Sequence, residues 1–277
     1  MHWFLIALVG PALWAASNHI DKHLIERYVK GGSAGALVIF SACIGLFILP
    51  LIGVLEPHVF SIGLGDALLT ITNGVLVIVG IILYLYALKE EEASIVVPFF
   101  QLVPVFLFIL SYIFLGESLT FSQIVGGLFI ILGSVLLSLS FDPGKPRFRL
   151  RVLILMAISS FVLAISALLF KKVALVEDYW SSAFWGYAGS ILTGIACFAV
   201  IPSYRQSFLA LFKTNKATFL ILSTIQELLD VVATLVFRFA GLLAPLALVQ
   251  VANGFQPVFG FLYGVILTLF SPSLGRE

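Results

Sequence analysis

Apolar residues in this chain come in long, nearly unbroken blocks rather than at the spacing of a half-buried helix or strand. Most blocks approach the roughly 20 residues that a helix needs to cross the hydrocarbon core of a bilayer. The pattern predicts nine spans, at residues 2–20, 33–55, 65–88, 93–115, 119–141, 150–173, 180–202, 217–240 and 243–270. The polar segments between them are short. A backbone in lipid must satisfy its own N–H and C=O groups, so every span is expected to be helical. Two features interrupt the pattern. "KEEE" at 89–92 puts four charges in a row and reads as a short water-exposed loop between the third and fourth helices. The apolar run after it carries Pro98 and Pro104, and the last span carries Pro257. Proline breaks the hydrogen-bond ladder, so these three mark helix breaks, expected where a helix lines a cavity; a simple kink in a packed bundle is the alternative.

One connection behaves as a linker. "FDPGKPRFRLR" at 141–151 holds two prolines and four basic residues and separates two similar halves. "YALKEEEASIVVPFFQLVPVFLFIL" (86–110) aligns without a gap on "FAGLLAPLALVQVANGFQPVFGFLY" (239–263), placing Pro104 on Pro257. "LWAASNHIDK" (13–22) aligns on "VLAISALLFK" (162–171), placing Lys22 on Lys171. Two matches in the same order imply a repeat: a first unit at 1–141, a linker at 142–149 and a second unit at 150–277. After "LGE" (115–117) the first unit adds a fifth helix, whereas the second reaches "FSPSLGRE" where that helix is expected. An odd number of spans per unit inverts the second unit in the membrane. Inverted repeats belong to transporters, with the substrate site at the midplane between them.

Composition agrees with the pattern. Hydrophobic residues make up 61% and aromatic residues 14% of the 277 positions, with a mean hydropathy of +1.15. No soluble domain of this size hides that much apolar surface, so the chain is expected to be an all-α integral membrane protein. A net charge of +1 lacks the basic face a nucleic-acid partner needs. Cys43 and Cys197 sit inside apolar runs and read as packing residues rather than a disulfide. The N-terminal run has neither a positive leader nor a small-residue cleavage site, so it reads as a helix and not a cleaved signal. Twelve Lys and Arg residues fall on the side of the loops after odd-numbered helices, against Lys171, Lys172 and Arg238 on the other. The positive-inside rule then puts the N-terminus outside the plasma (inner) membrane.

The chemistry concentrates in the eighth span, "KATFLILSTIQELLDVVATLVFRFAG". Glu227 and Asp230 stand near its middle, three residues apart and on one helical face. Each costs about 2.5–3.5 kcal/mol if it faces lipid, so both should face the bundle or a wet cavity. Two carboxylates one turn apart resist ionising together, so the pair is a candidate for sharing a proton or binding a substrate amine. Gln226 and Thr234 extend the stripe. Arg238, about 12 Å further along the axis, is read as snorkelling to the interface. Gln250, Asn253 and Gln256 in the ninth span and Gln101 in the fourth offer amides that bind a solute or bond helix to helix. Asn73 and Tyr84 in the third span add to these. Asn18, His19, Asp21 and Lys22 read as a charged membrane edge, and Trp3, Trp14, Trp180 and Trp185 as interfacial or packing aromatics. Small residues at Gly186, Ser190 and Gly194, at Gly260 and Gly264, and at Gly126, Gly127 and Gly133 read as helix contact faces.

The stretch "ASIVVPFFQLVPVFLFILSYIFLGESLTFSQIVGGLFIILGSVLL" at 93–137, with Leu13 and Trp14 in the first span, resembles the EamA-type transporters of the drug/metabolite transporter superfamily. The likeness lies in a small-residue start, a mid-helix Pro-Val, an "LGE" helix end and a glycine-bearing fifth helix. It implies ten helices in two inverted five-helix repeats and secondary transport of small solutes such as amino acids. This sequence departs from it in lacking the tenth helix. Its charge bias also disagrees with the termini-inside orientation common in the family; the bias is followed here. The expected partners are a small-molecule substrate, membrane lipid and protons as coupling ion. A flippase for a lipid-linked or amphipathic substrate is the alternative. A membrane-embedded enzyme is remote: "GLGD" (63–66) and "PAL" (11–13) stand in the wrong order for an intramembrane aspartyl protease. No zinc-protease, serine-hydrolase or nucleotide-binding motif is found, so no metal or cofactor is expected.

Overall fold

The computed structural model describes residues 2–28, 35–91, 96–138, 150–214 and 216–270. The linker at 142–149 and the side chains of Asp21 and Lys22 lie outside the described residues. Among those described, every regular element is a helix: α1 His2–Tyr28, α2 Gly35–Leu55, α3 Leu64–Leu88, α4 Leu102–Leu115, α5 Phe121–Ser138, α6 Leu150–Val176, α7 Tyr179–Val200, α8 Pro202–Thr214, α9 Lys216–Leu243, α10 Leu246–Val251 and α11 Gln256–Phe270. Short 3₁₀ turns at Pro57–Phe60, Val97–Gln101 and Ala252–Phe255 join some of them. Among the described residues, seven segments are long and apolar enough to cross a membrane: His2–Ile20, Val38–Leu55, Leu64–Leu88, Leu150–Val176, Tyr179–Val200, Leu220–Leu243 and Leu246–Ile266. Phe99–Leu115 and Phe121–Gly133 are apolar but shorter. The protein is an integral, multi-pass membrane protein.

Three elements differ from the hydropathy pattern, each for a local reason. α1 continues to Tyr28 because "SNHIDKHLIERY" is polar but contains no Gly or Pro; polarity ends a span without ending a helix. The ninth span is broken into α10, a 3₁₀ turn and α11, with Pro257 in the first turn of α11, where a missing N–H costs nothing. α8, "PSYRQSFLALFKT", is too short and too charged to register as a span, yet its Tyr204 is buried against Ile39 and Cys197. The charged turn after α3 is less open than expected. Glu90 meets Arg151 of α6 at 2.9 Å, while Glu92 lies outside the described residues.

In the packing, α1 runs along α9, α3 runs along α6, and α7 is wedged against α2 and α3. Missing side chains make the last contacts possible. A Cβ on Gly74 would lie 2.0 Å from the Gly186 carbonyl oxygen, and one on Gly189 would lie 2.1 Å from that of Ile71. A Cβ on Gly194 would lie 2.1 Å from the Ala42 Cβ. Ser190 completes the seam by donating to the Gly74 carbonyl at 3.2 Å. The small-residue stripe of α7 is therefore a contact face, as read. Among the described residues a Cβ on Gly126, Gly133, Gly260 or Gly264 meets nothing within 4 Å, although the Gly260 carbonyl lies 3.2 Å from His19 Nε2 of α1. Gly74→Ala is expected to lose about 1–3 kcal/mol, because the clash is with backbone and no rotamer relieves it. Gly260→Ala should be neutral. Thermal unfolding of both in detergent checks this, and equal midpoints would refute it.

Polar contacts also tie the helix ends. Asp178 caps α7 by accepting from the Ser181 N–H at 2.9 Å and lies 3.3 Å from His58 Nε2. Burial pushes its carboxyl up, but the hydrogen bonds of Ser181 and the nearby His58 outweigh this and hold it below the usual carboxylate range. Trp185 donates to the Val59 carbonyl at 2.8 Å. Cys43 and Cys197 are both free.

Candidate functional site

A cavity of about 450 Å³ opens between α1, α2, α3, α4, α6, α9 and the broken α10–α11 segment. One wall is a single stripe of α9. Gln226, Glu227, Asp230, Thr234 and Arg238 recur at three- and four-residue spacing, which puts them on one face, and all five line the cavity. The stripe faces inward because burial against neighbouring helices and water is the only way to keep two carboxylates out of lipid. Glu227 is 7% exposed and accepts a hydrogen bond from the Ser41 hydroxyl of α2. The Gln226 amide donates to Asp230 Oδ2 at 2.6 Å and to the buried Ser17 hydroxyl of α1 at 3.2 Å. Residues from α1, α2 and α9 thus hold the acidic pair in place.

The facing wall comes from the broken ninth segment. Gln250, Asn253 and Gln256 line it, and Asn253 Oδ1 is buried with no hydrogen-bond partner among the described residues. Breaking the helix into a 3₁₀ turn at Ala252–Phe255 turns this stretch of amides toward the cavity. The remaining wall is apolar: Trp14 packs edge-on to Phe237 at 5.1 Å, and Tyr84 leans on Phe100 at 4.9 Å.

Two sequence candidates lie elsewhere. Asn73 is fully buried in the α3–α6 seam, where its amide donates to the Ser166 carbonyl at 2.8 Å and hydroxyl at 2.7 Å. Gln101 is buried beside Gly254 and is not part of the cavity lining. Of the helix-break candidates, Pro98 sits in the 3₁₀ turn Val97–Gln101, while Pro104 is buried in the first turn of α4 and Pro257 opens α11. None interrupts a continuous α-helix. Each lies where the backbone changes between 3₁₀ and α.

Several site residues escaped the sequence reading. Arg238 does not snorkel to an interface; its guanidinium lies 4.6 Å from the centre of the Phe170 ring and lines the cavity. The four-residue spacing from Asp230 through Thr234 carried that signal. Trp14 also lines the cavity rather than anchoring an interface. Lys171 is not a loop charge. It is 5% exposed, pairs with Glu117, and donates to the Ala244 carbonyl at 2.8 Å. Glu117 Oε2 in turn accepts from the Leu246 N–H at 2.8 Å. The "LGE" sequence explains the geometry: Gly116 ends α4 in the left-handed region (φ 66°), a turn that returns the next residue to the bundle. One ion pair thereby joins the ends of α4, α6 and α9 to the start of α10.

Comparison with known proteins now bears on this arrangement. The sequence model described as the EamA-like transporter family matches residues 1–139. The chain belongs to that family. An uncharacterized transporter of Clostridium kluyveri is 33% identical over 131 residues, covering 47% of this chain and 42% of its own length. An uncharacterized protein of Methanocaldococcus jannaschii is 46% identical over 70 residues, 25% of this chain and 51% of its own. The chain thus spans about half the length of the curated relatives it matches. A crystal structure of a protein at 15% identity superposes with a TM-score of 0.68 over 99% of this chain and 90% of that one. At that identity the likeness concerns the fold alone. The EamA-like match ends before α6, so Glu227, Asp230 and Arg238 all lie outside it.

Proposed function

We propose that this EamA-like protein is a gradient-driven secondary transporter of small metabolites, amino acids or related solutes, working by alternating access between two inverted units. The units are 1–141 and 150–277, joined by the linker 142–149. The observation that carries the reading is the cavity, which takes Ser41 from the first unit and Glu227 and Asp230 from the second. A site between two inverted units can face either side of the membrane when they rock. The packing supports the inversion. α1 on α9 and α3 on α6 are the same pairing, first helix of one unit against third of the other, seen from each side. The 3₁₀ turns Val97–Gln101 and Ala252–Phe255 support it too, since they fall at nearly matching places in the aligned segments. The two short apolar helices, Phe99–Leu115 and Phe121–Gly133, would then complete nine spans.

Glu227 and Asp230 take the proton or the substrate amine. The Lys171–Glu117 pair closes one end of the cavity and must separate for that end to open. With Lys171 and Arg238 inside the bundle, Lys172 alone remains of the minority in the loop-charge count, which supports an outside N-terminus in the plasma membrane. The carboxylates, guanidinium and amides set in an otherwise largely apolar lining favour a solute with charged groups over a lipid tail. The test is uptake into liposomes containing the purified protein, with labelled amino acids and small metabolites, with and without an inward proton gradient. Uptake of at least one solute, raised by the gradient, is expected. No uptake in vesicles whose protein is verified as folded would overturn the reading.

A further inference from the structure

The cavity has charge of both signs, and one of its two cations, Arg238, has no carboxylate partner among the described residues. Arg238 faces it and lies over the Phe170 ring, and among the described residues no carboxylate comes within ion-pair distance of it. The other cavity cation, Lys171, is already taken by Glu117. A guanidinium cannot shed its charge, and its planar fork of donors suits a carboxylate with two parallel hydrogen bonds. Holding it inside a membrane bundle without a counter-charge is costly, which marks a place where a ligand supplies that charge. Nearby, the Tyr187 hydroxyl is buried without a hydrogen-bond partner among the described residues.

We propose that Arg238 binds the carboxylate of the transported solute, so that the cavity selects a compact zwitterion held between Arg238 and the Glu227–Asp230 pair. This rests on the transport reading and sharpens it. Asp230 and Arg238 are separated by about 12 Å along α9, and the long arginine side chain leans back toward the helix N-terminus, which shortens the gap. An amine and a carboxylate on one carbon, each at hydrogen-bond distance from its partner, bridge roughly 9 Å. The proposal therefore requires the guanidinium and the acidic pair to stand about this far apart across the cavity they share. Trp14, Phe170 and Phe237 leave an apolar wall beside it for the rest of the molecule. The amides of Gln250 and Asn253 face the same space and can bond the head group from the side.

The experiment measures binding, not transport: thermal stabilisation of purified wild-type protein at fixed pH by each proteinogenic amino acid. Each that stabilises is then compared with its amide, which lacks the carboxylate charge, and with its decarboxylated amine. At least one zwitterion should stabilise the protein while its amide and amine bind roughly tenfold or more weakly, a factor equal to about 1.4 kcal/mol. Arg238→Gln should lose the preference for the zwitterion over the amide, and Arg238→Lys should retain part of it. Amides or amines that bind as well as the zwitterions overturn the assignment of Arg238, as does an Arg238→Gln protein that still prefers the zwitterion. No stabilisation of wild type by any amino acid overturns it too. In each case gradient-driven uptake of another solute would leave the transport reading standing, so the two failures are distinguishable.

Discussion

Lys171→Met is expected to destabilise the protein by about 3–5 kcal/mol, and the double substitution Glu117→Gln with Lys171→Met to restore most of the loss. The side chains of the pair are 6% and 14% exposed, so both charges have left water and each is neutralised by the other. Deleting the lysine leaves a carboxylate whose described contacts reduce to the Leu246 N–H, which cannot supply a full counter-charge. Deleting both removes the charge along with its desolvation cost. A glutamine at 117 can still accept from Leu246 and cap the start of α10. Thermal unfolding in one detergent decides the matter, with wild type, both single variants and the double variant measured together. A Lys171→Met midpoint equal to that of wild type would mean that the pair holds nothing together. If the pair is also the latch of the transport cycle, the double variant should be stable yet leak, taking up substrate without the response to the proton gradient seen in wild type.

The second large effect is expected at Glu227. Glu227→Gln keeps the size of the side chain and its ability to accept from Ser41, but it can no longer exchange a proton. Gradient-driven uptake should disappear in this variant, while insertion, thermal stability and exchange of substrate at equal pH persist. Asp230→Asn keeps Glu227 and should weaken rather than abolish the response, because Gln226 ties Asp230 to α1 and a neutral amide can stay in that bond. The readout is the ratio of uptake with and without an inward proton gradient in vesicles matched for protein content. An unchanged ratio in Glu227→Gln removes the proton from this site and leaves the pair to the substrate amine alone.

Much of the site was legible before the fold. Two acids and an amide at 226, 227 and 230 cannot face lipid, so their inward direction follows from the hydrophobic blocks around them. Pro98, Pro104 and Pro257 do lie at or beside 3₁₀ turns, but the missing donor alone did not make those breaks legible, since Pro11 and Pro50 stand inside α1 and α2. Arg238 was missed for an identifiable reason. Near a helix end an arginine has two low-energy options, reaching out to the interface or turning in to a cavity, and only a neighbour such as Phe170 decides between them. Asn73 shows the opposite difficulty. An amide in a span reads as a site residue, but its partner Ser166 is 93 positions away, and no local pattern predicts that bond.

The sequence by itself determined that this is a multi-pass helical membrane protein of the EamA-like kind, with carboxylates inside the bundle. The cost of placing polar backbone and charge in hydrocarbon is a local property and can be read residue by residue. Only the tertiary structure decided that Lys171 belongs to Glu117, that Asn73 is a clamp, and that Arg238 shares a cavity with Glu227 and Asp230. Those facts depend on which helices lie side by side. In lipid, hydrophobicity drives every span into the membrane but favours no particular neighbour. Close packing at glycines such as Gly74 and Gly189, and a few buried polar pairs, make that choice.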